Sequence, residues 1–379
     1  MMLLSPIYLS MSIQMLMGGI FAAQRFLTTI NLSQFYRSST RLCLFLKVEN
    51  IDDLNTNFLD MAAIATTNSD GGPDLCFLSA LWIDEKFRLK KSYQELVKNV
   101  YKTTAKNVDF KRKEEVVEEA NSWAKSATKG LIEQVLKPEH INEDATLLLG
   151  NALYFKGTWK DNFIQSLTQD KDFYLLNGDK VLVPFMTGCD NYTYGSFESY
   201  QAVKIPYEKG KNDKKMFSIC FFLPNAKDGL PSLLKKVNSV PNFFTQDFHL
   251  WNENLAAFYI PKFKFSFTTE EGLNTMQEMG MTLPFDETCM DLTEIVENGG
   301  PLYVSMIIQK AFVEIDEKGT EAAAVTFAED DDMGCCLSES PPKRFVADHP
   351  FLFMIREETT RSVLFTGTVV NPMLSGSDE

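Results

Sequence analysis

Residues 317–327 read Glu-Lys-Gly-Thr-Glu-Ala-Ala-Ala-Val-Thr-Phe, with the alternation of a strand but side chains too small for a core strand and too apolar for a loop. Counted with period two, one face carries Thr320, Ala322, Ala324, Thr326 and Ala328, and the other Glu321, Ala323, Val325, Phe327 and Glu329. The first set is small enough to slip between packed strands. Such a segment is tolerated in water and loses little side-chain entropy when it is zipped into a sheet. It is a loop able to become a strand, so the rest of the chain has to supply the sheet.

The composition allows a large core. With 379 residues, 45% apolar side chains, 30 Phe and 23% charged residues, the chain is globular, and no Gly/Ser/Pro-rich linker divides it. One domain spanning residues 1–379 is the expectation. The net charge of −14 argues against nucleic acid as a partner and favours a self-repelling monomer. Seven Cys is an odd count, and Cys43, Cys76, Cys189, Cys220 and Cys289 suit neither a disulfide framework nor a zinc site. Free thiols, no metal and no cofactor are expected. The first 24 residues carry no charge, yet they lack a basic leader and are interrupted by Ser5, Pro6, Ser10, Ser12 and Gln14. A buried helix fits them better than a signal peptide or a membrane span. The expected location is cytoplasmic or nucleocytoplasmic, with the extracellular space as the alternative. Asn31-Leu-Ser and Asn191-Tyr-Thr are formal glycosylation acceptors, meaningful only in a secreted chain.

From about residue 75 onward helices and strands mix without a regular βαβ repeat, which predicts an α+β fold with largely antiparallel sheets. Residues 111–130 read as an amphipathic helix with Val116, Val117, Ala120, Trp123, Ala124 and Ala127 on one stripe and Gly130 as its stop. The dense apolar run 147–155 around Asn151 predicts a strand buried on both faces, and 216–223 predicts another. Residues 258–267 alternate around Pro261, which demotes them to an edge or bent strand. Residues 343–355 and 362–370, joined by a polar turn over 356–361, predict a core hairpin. Between the opening segment and this hairpin, residues 329–342 are acidic, then rich in Gly, Cys and Ser-Pro, the composition of an exposed and mobile loop.

Three separated stretches resemble one family. Phe345-Val-Ala-Asp-His-Pro-Phe-Leu-Phe-Met-Ile355 is similar to the serpin signature near the carboxyl terminus. Asn151-Ala-Leu-Tyr-Phe-Lys-Gly-Thr-Trp159 resembles the central-sheet strand that ends in the breach tryptophan, and residues 317–326 resemble the hinge of inhibitory members. Order and spacing agree, the similarity runs from about Ser5 to Pro372, and Asn121-Ser-Trp with Phe345-Val-Ala-Asp-His-Pro looks like the plant branch. The resemblance implies a serpin-like domain of three β-sheets and about eight helices. It also implies a reactive loop over about residues 317–342, displayed as bait.

The resemblance implies a serine-type endopeptidase inhibitor acting as a suicide substrate, not an enzyme. A target protease cuts the loop and forms an acyl-enzyme. The hinge (Glu317, Gly319, Thr320, Glu321, Ala322, Ala323, Ala324 and Thr326) then inserts into the central sheet and the trapped protease is distorted. The family's spacing from the hinge glycine, Gly319, places the reactive bond at Met333 and Gly334; a shift of one residue makes Asp332 the recognised residue. Met333 suits a chymotrypsin-like or elastase-like serine protease and Asp332 an Asp-specific one, with a cysteine protease as a further candidate target. Trp159 matches the breach, and Ser5 and Asn151 match the shutter, whereas Tyr8 stands where serine is usual and Gln309 where histidine is usual. The family's first helix has no counterpart ahead of Ser5, and Asp330 falls on the inward face, where insertion buries a charge. These departures keep a second reading open, a non-inhibitory or degenerate serpin-like protein whose loop is only a protease substrate.

The residue inventory speaks against catalysis. The three histidines, His140, His249 and His349, join no Ser-His-Asp, Gly-rich phosphate or metal-ligand pattern, and His349 inside the signature reads as a structural hydrogen-bonding residue. Cys335-Cys336 beside the reactive bond is either a redox-sensitive pair or two thiols without a role.

Overall fold

The computed structural model describes residues 71–319 and 342–374 together with Ile64, apart from 100–102, 131, 189–190, 212–213, 341 and most of 270–299. Five strands form the first sheet, in the order β11 (Phe263–Thr269), β12 (Val304–Ile315), β3 (Leu147–Lys156), β1 (Asp74–Asp84) and β2 (Thr104–Val108). Within it β3 is antiparallel to β1 and parallel to β12. Leu147 to Phe155 are all buried because both faces of this strand are covered, as the apolar run predicts.

Three α-helices are described, α1 (Lys91–Asn99), α2 (Lys113–Ala127) and α3 (Leu230–Ser239); the expected total of about eight extends to residues outside the described ones. On α2, Val116, Ala120 and Ala124 recur every four residues, and their small size lets the helix pack closely with Trp82, Leu148, Tyr154, Ile308 and Phe312 of the first sheet. Glu114 and Glu115 in its first turn and Lys125 in its last suit the helix dipole. Lys129 and Gly130, with φ of 53° and 88°, follow its end in left-handed conformation.

The opposite face of the first sheet, through Leu75, Leu153, Phe155, Val313 and Ile315, enters a core shared with two further sheets. The second sheet has the order β13 (Arg344–Val346), β10 (Ala257–Pro261), β5 (Lys180–Met186) and β4 (Gln169–Tyr174). The third has the order β15 (Val363–Val369), β14 (Phe351–Glu357), β8 (Phe217–Pro224), β7 (Tyr200–Pro206), β6 (Asn191–Ser196) and β9 (Trp251–Asn254). Strands β8 and β14 are buried throughout because residues of α3, with Phe243, Phe244 and Phe248, cover the face that carries Cys220, Phe222, Leu352 and Met354. This is the α+β architecture that the sequence pattern predicts, with the three sheets that the family resemblance implies.

Two segments differ from expectation. Residues 258–267 fall in two strands, and the chain passes from the second sheet to the first at Lys262. Only β11 is an edge; β10 lies between β13 and β5, and Pro261, with no N–H to donate, ends it. The C-terminal pair is likewise divided. β13 joins the second sheet, β14 and β15 make the hairpin, and the polar turn is shorter than its sequence suggests. Arg356 and Glu357 belong to β14 and are 4% and 1% exposed. Arg356 donates to both carboxylate oxygens of Glu358 (3.0 and 3.1 Å) and to the carbonyls of Phe244 (3.2 Å) and Gln246 (3.0 Å). Glu357 accepts from the N–H groups of Met216 (3.1 Å) and Thr360 (2.7 Å). In sequence these side chains read as solvated, because the partners that make their burial tolerable lie far away along the chain.

Arg356→Met removes the charge but keeps the side-chain length, and should lower stability by about 3 kcal/mol, since Glu358 loses its bidentate partner. A denaturant midpoint equal to that of the wild type would show the network to be dispensable.

Candidate functional site: hinge and seam

At Ile315 the chain leaves β12 and turns back at once. Asp316 Oδ1 accepts the N–H groups of Lys318 (2.9 Å) and Gly319 (3.1 Å), and Asp316 and Gly319 exchange backbone hydrogen bonds (3.0 and 3.3 Å), so residues 316–319 make a two-residue hairpin turn. Gly319 has φ 131°, and a Cβ there would stand 2.0 Å from the carbonyl oxygen of Gly157. Only glycine fits. On its other side Gly319 bridges Thr158, just beyond β3, so the turn touches both strands of the β3–β12 pair.

The turn is gripped from outside. Trp159, 2% exposed, donates its indole N–H to the Asp316 carbonyl (2.8 Å) and its backbone N–H to that of Lys318 (3.0 Å), and its ring stacks on Tyr207 at 4.5 Å. Phe163 donates its N–H to the Glu317 carbonyl (2.9 Å). The Glu317 carboxylate is buried and accepts from the Thr168 hydroxyl (2.8 Å) and the Lys262 ammonium (2.7 Å). Burial pushes its pKa up, but the hydrogen bonds from Lys262 and Thr168 outweigh this and hold the carboxyl below its ordinary value. Beyond residue 341, Lys343 pairs with Glu253 (2.6 Å), its carbonyl accepts the N–H of Ala256 (2.9 Å), and Phe345 stacks on Phe258.

Below the turn β3 and β12 pair directly, from Tyr154 with Phe312 down to Leu147 with Val304. Midway, Asn151 is the register partner of Gln309 on one side and of Ser79 in β1 on the other. Asn151 donates from Nδ2 to the Leu78 carbonyl (3.3 Å) and the Ser79 hydroxyl (3.4 Å), while its buried Oδ1 has no partner among the described residues. At the lower end Ser305 is an extra residue: Met306 pairs with Leu148, but Val304 pairs with Leu147. The Ser305 hydroxyl accepts the N–H of Thr146 (2.9 Å), and the Thr146 hydroxyl accepts the N–H of Tyr303 (3.1 Å).

Of the residues singled out in sequence, Glu317, Gly319 and Trp159 meet at the hinge, and Asn151 faces Gln309 in the seam. Ser5, Tyr8, Thr320, Glu321, Ala322, Ala323, Ala324, Thr326, Asp332, Met333, Gly334, Cys335 and Cys336 lie outside the described residues. Sequence reasoning misses Phe163, Thr168, Tyr207, Lys262 and Ser79. Only Ser79 carries a signal, as a lone hydroxyl inside the apolar run of β1; Lys262 reads, like Lys264, as part of a solvated face. His349 is the structural residue expected, its ring nitrogens meeting the Asp348 carboxylate (2.7 Å) and the Pro224 carbonyl (2.8 Å). Among the described residues no three His, Cys, Asp or Glu side chains gather into a metal site.

A closed seam between two parallel strands, headed by a hinge that bridges both, is the architecture of a serpin. Comparison with known proteins agrees, since the family model described as Serpin (serine protease inhibitor) matches residues 2–372. The chain belongs to the serpin family. It is 41% identical over 334 residues to Serpin-Z10 of Arabidopsis thaliana, covering 86% of this chain and 84% of that one. It is 42% identical over 318 residues to Serpin-Z2B of Triticum aestivum, covering 82% and 78%. The structure of AtSerpin1 from Arabidopsis, in its native stressed conformation, superposes with a TM-score of 0.82 at 36% identity and covers 96% of this chain and 90% of that one. These relatives are plant serpins, as the sequence resemblance implies. Family membership supports a protease-inhibitor function rather than a catalytic one.

Gly319→Ala has no unstrained conformation available and should cost more than ~1 kcal/mol, seen as a lowered thermal midpoint; an unchanged midpoint would mean that the turn relaxes freely. The lowered pKa of Glu317 gives its contribution a sign. It is complete above the ordinary carboxylate range and is lost as pH falls through the lowered value. Lys262→Met should therefore move the onset of acid unfolding to higher pH, and coincident acid limbs for the two proteins would refute the pairing.

Proposed function

We propose that the protein inhibits a serine-type endopeptidase as a suicide substrate, with its reactive bond between Met333 and Gly334. The observation that supports this most is the register set at Gly319, which bridges Thr158 and Asp316 in antiparallel sense. Seven residues on from Gly319 stands Thr326; seven back from Thr158 stands Asn151, and seven back from Asp316 stands Gln309. Asn151 and Gln309 are already partners across the seam, so one strand entering there is in register with both neighbours. The same count sends Thr320, Ala322, Ala324, Thr326 and Ala328 to the face of Asn151, with the Thr326 hydroxyl beside the unpartnered Oδ1.

Insertion replaces one parallel ladder by two antiparallel ones, a net gain on the order of ten backbone hydrogen bonds at roughly 0.5–1.5 kcal/mol each. The target serine attacks the carbonyl of residue 333, the peptide bond to Gly334 breaks, and an acyl ester remains. The freed arm then zips into the seam and drags the enzyme with it before water hydrolyses the ester. Met333 suits chymotrypsin-like and elastase-like pockets; recognition at Asp332 would point to Asp-specific serine or cysteine proteases. A cytoplasmic or nucleocytoplasmic site of action is supported by the free thiols Cys76 and Cys220, which burial pushes up to about 11 and about 12. Recovery of the protein only from extracellular fluid would overturn that location.

A second reading, a loop that is merely cut, draws on Gln309 in the shutter and on the acidic run at 329–332. Incubation with chymotrypsin-like, elastase-like and Asp-specific proteases separates the two. An SDS-stable adduct is expected with at least one of them, and clean cleavage near Met333 by all, with no adduct, would sink the inhibitor reading.

A further inference from the structure

Trp251 opens β9 and is 69% exposed, more than any other large apolar side chain among the described residues. Its strand is the last of the third sheet and is paired with β6. Trp251 lies opposite Tyr194, which is 5% exposed, so the backbone that carries it is fixed while the ring stands clear of the core. Among the described residues no aromatic, cation or side-chain hydrogen-bond contact engages the ring. The rest of the strand, Asn252, Glu253 and Asn254, is polar, as an edge strand ordinarily is. Trp251 breaks that pattern: it holds apolar surface in water and contributes almost nothing to folding.

β9 is also tied to the point where the chain returns from residues 320–341. Glu253, on the same side of the strand as Trp251 by alternation, pairs with Lys343 at 2.6 Å, and the Lys343 carbonyl accepts the N–H of Ala256 at 2.9 Å. Phe345 is buried, and alternation turns its neighbour Arg344 outward, exposed and without an ion pair among the described residues. An open indole and a free guanidinium near one anchor are the side chains most enriched where proteins dock. Trp251 is about 7 Å along β9 from Glu253. Lys343 stands nine residues beyond Gly334, a span of at most about 30 Å. A docking interface of standard size covers ~800 Å² on each partner, about 30 Å across. An enzyme that takes the bond after Met333 into its cleft therefore has Trp251 within its rim.

We propose that Trp251, supported by Arg344, is an accessory docking contact for the protease that attacks the chain, on the leaving side of the reactive bond. It fits an apolar depression edged by a carboxylate on the enzyme surface. The identity of the partner rests on the inhibitor reading above. An aromatic anchor on a paired strand is cheap to immobilise, with two side-chain torsions to fix. It acts before acylation, by holding the encounter complex, and takes no part in the bond that breaks. Enzymes with similar clefts are then told apart by whether they carry the depression.

The test uses the full chain with chymotrypsin, pancreatic elastase and an Asp-specific protease, each with its nucleophile replaced by alanine so that docking is measured without cleavage. Trp251→Ala is expected to weaken the tightest of these complexes tenfold or more, and Trp251→Phe to weaken it less. Met373→Ala, an exposed apolar residue that follows β15 at the opposite edge of the third sheet, should leave it unchanged. Thermal midpoints should match that of the wild type in all three variants, since neither side chain is buried. No measurable complex with any enzyme, affinities of Trp251→Ala within twofold of the wild type for all three, or an equal loss in Met373→Ala would overturn the contact. So would a dimer of the free protein that Trp251→Ala abolishes, which would give this surface to a second copy of the chain. The active enzymes report separately on inhibition. A Trp251-dependent complex without an SDS-stable adduct removes inhibition and keeps the contact, whereas an adduct formed at equal rates by the wild type and Trp251→Ala keeps inhibition and removes the contact.

Discussion

Between Leu147 and Tyr154 the strand β3 is hydrogen-bonded on both edges, antiparallel to β1 and parallel to β12, and the rest of the molecule depends on the second of these ladders. A parallel ladder is the weaker kind, and here its middle holds the polar residues Asn151 and Gln309, with the Asn151 Oδ1 unpartnered among the described residues. On the other face, Lys310 is buried and donates to the Gln134 carbonyl at 2.6 Å, which keeps a charge under the segment that follows α2. The sheet is therefore closed along a line that is not its best bonded arrangement. A further strand between β3 and β12 would turn one poor ladder into two better ones.

The turn at the head of the seam is held firmly by its surroundings. Gly319 closes a tight turn against Thr158, while Trp159, Phe163, Thr168 and Lys262 hold residues 316–318 by groups that belong to the body of the protein. Most of the binding is to backbone carbonyls and to one carboxylate, so it fixes where the chain turns without dictating the side chains that follow. Under the proposed insertion, the head of the seam is aligned before the strand enters it. Alignment removes the search for register, which is otherwise the slow part of pairing distant strands.

Much of this was legible in the residues themselves. The unbroken apolar run around Asn151 announced a strand covered on both faces, and the four-residue spacing of Val116, Ala120 and Ala124 announced the helix lying on it. The small-residue alternation after Gly319 lies outside the described residues and carries the proposed reading alone. What stayed hidden depends on partners distant in sequence. Lys262 alternates with phenylalanines and reads as solvated, yet it ends at the buried Glu317 carboxylate. Arg356 and Glu357 read as a turn, yet they are buried against residues 216 and 244–246. The extra residue at Ser305 leaves no mark in composition or periodicity, because a bulge is a relation between two strands. The proposed position of the reactive bond rests on family resemblance alone, since no local property of Met333 distinguishes it from the chain's other methionines.

The chain is anchored on both sides of residues 320–341. Gly319 and Trp159 hold the chain ahead of residues 320–341, and the Lys343–Glu253 pair with the Phe345–Phe258 stack holds it after them. Under the inhibitor reading proposed above, the residues around the bond to be cut form a replaceable cartridge. Their sequence could then change, and the choice of prey with it, without disturbing the contacts that hold the chain on either side.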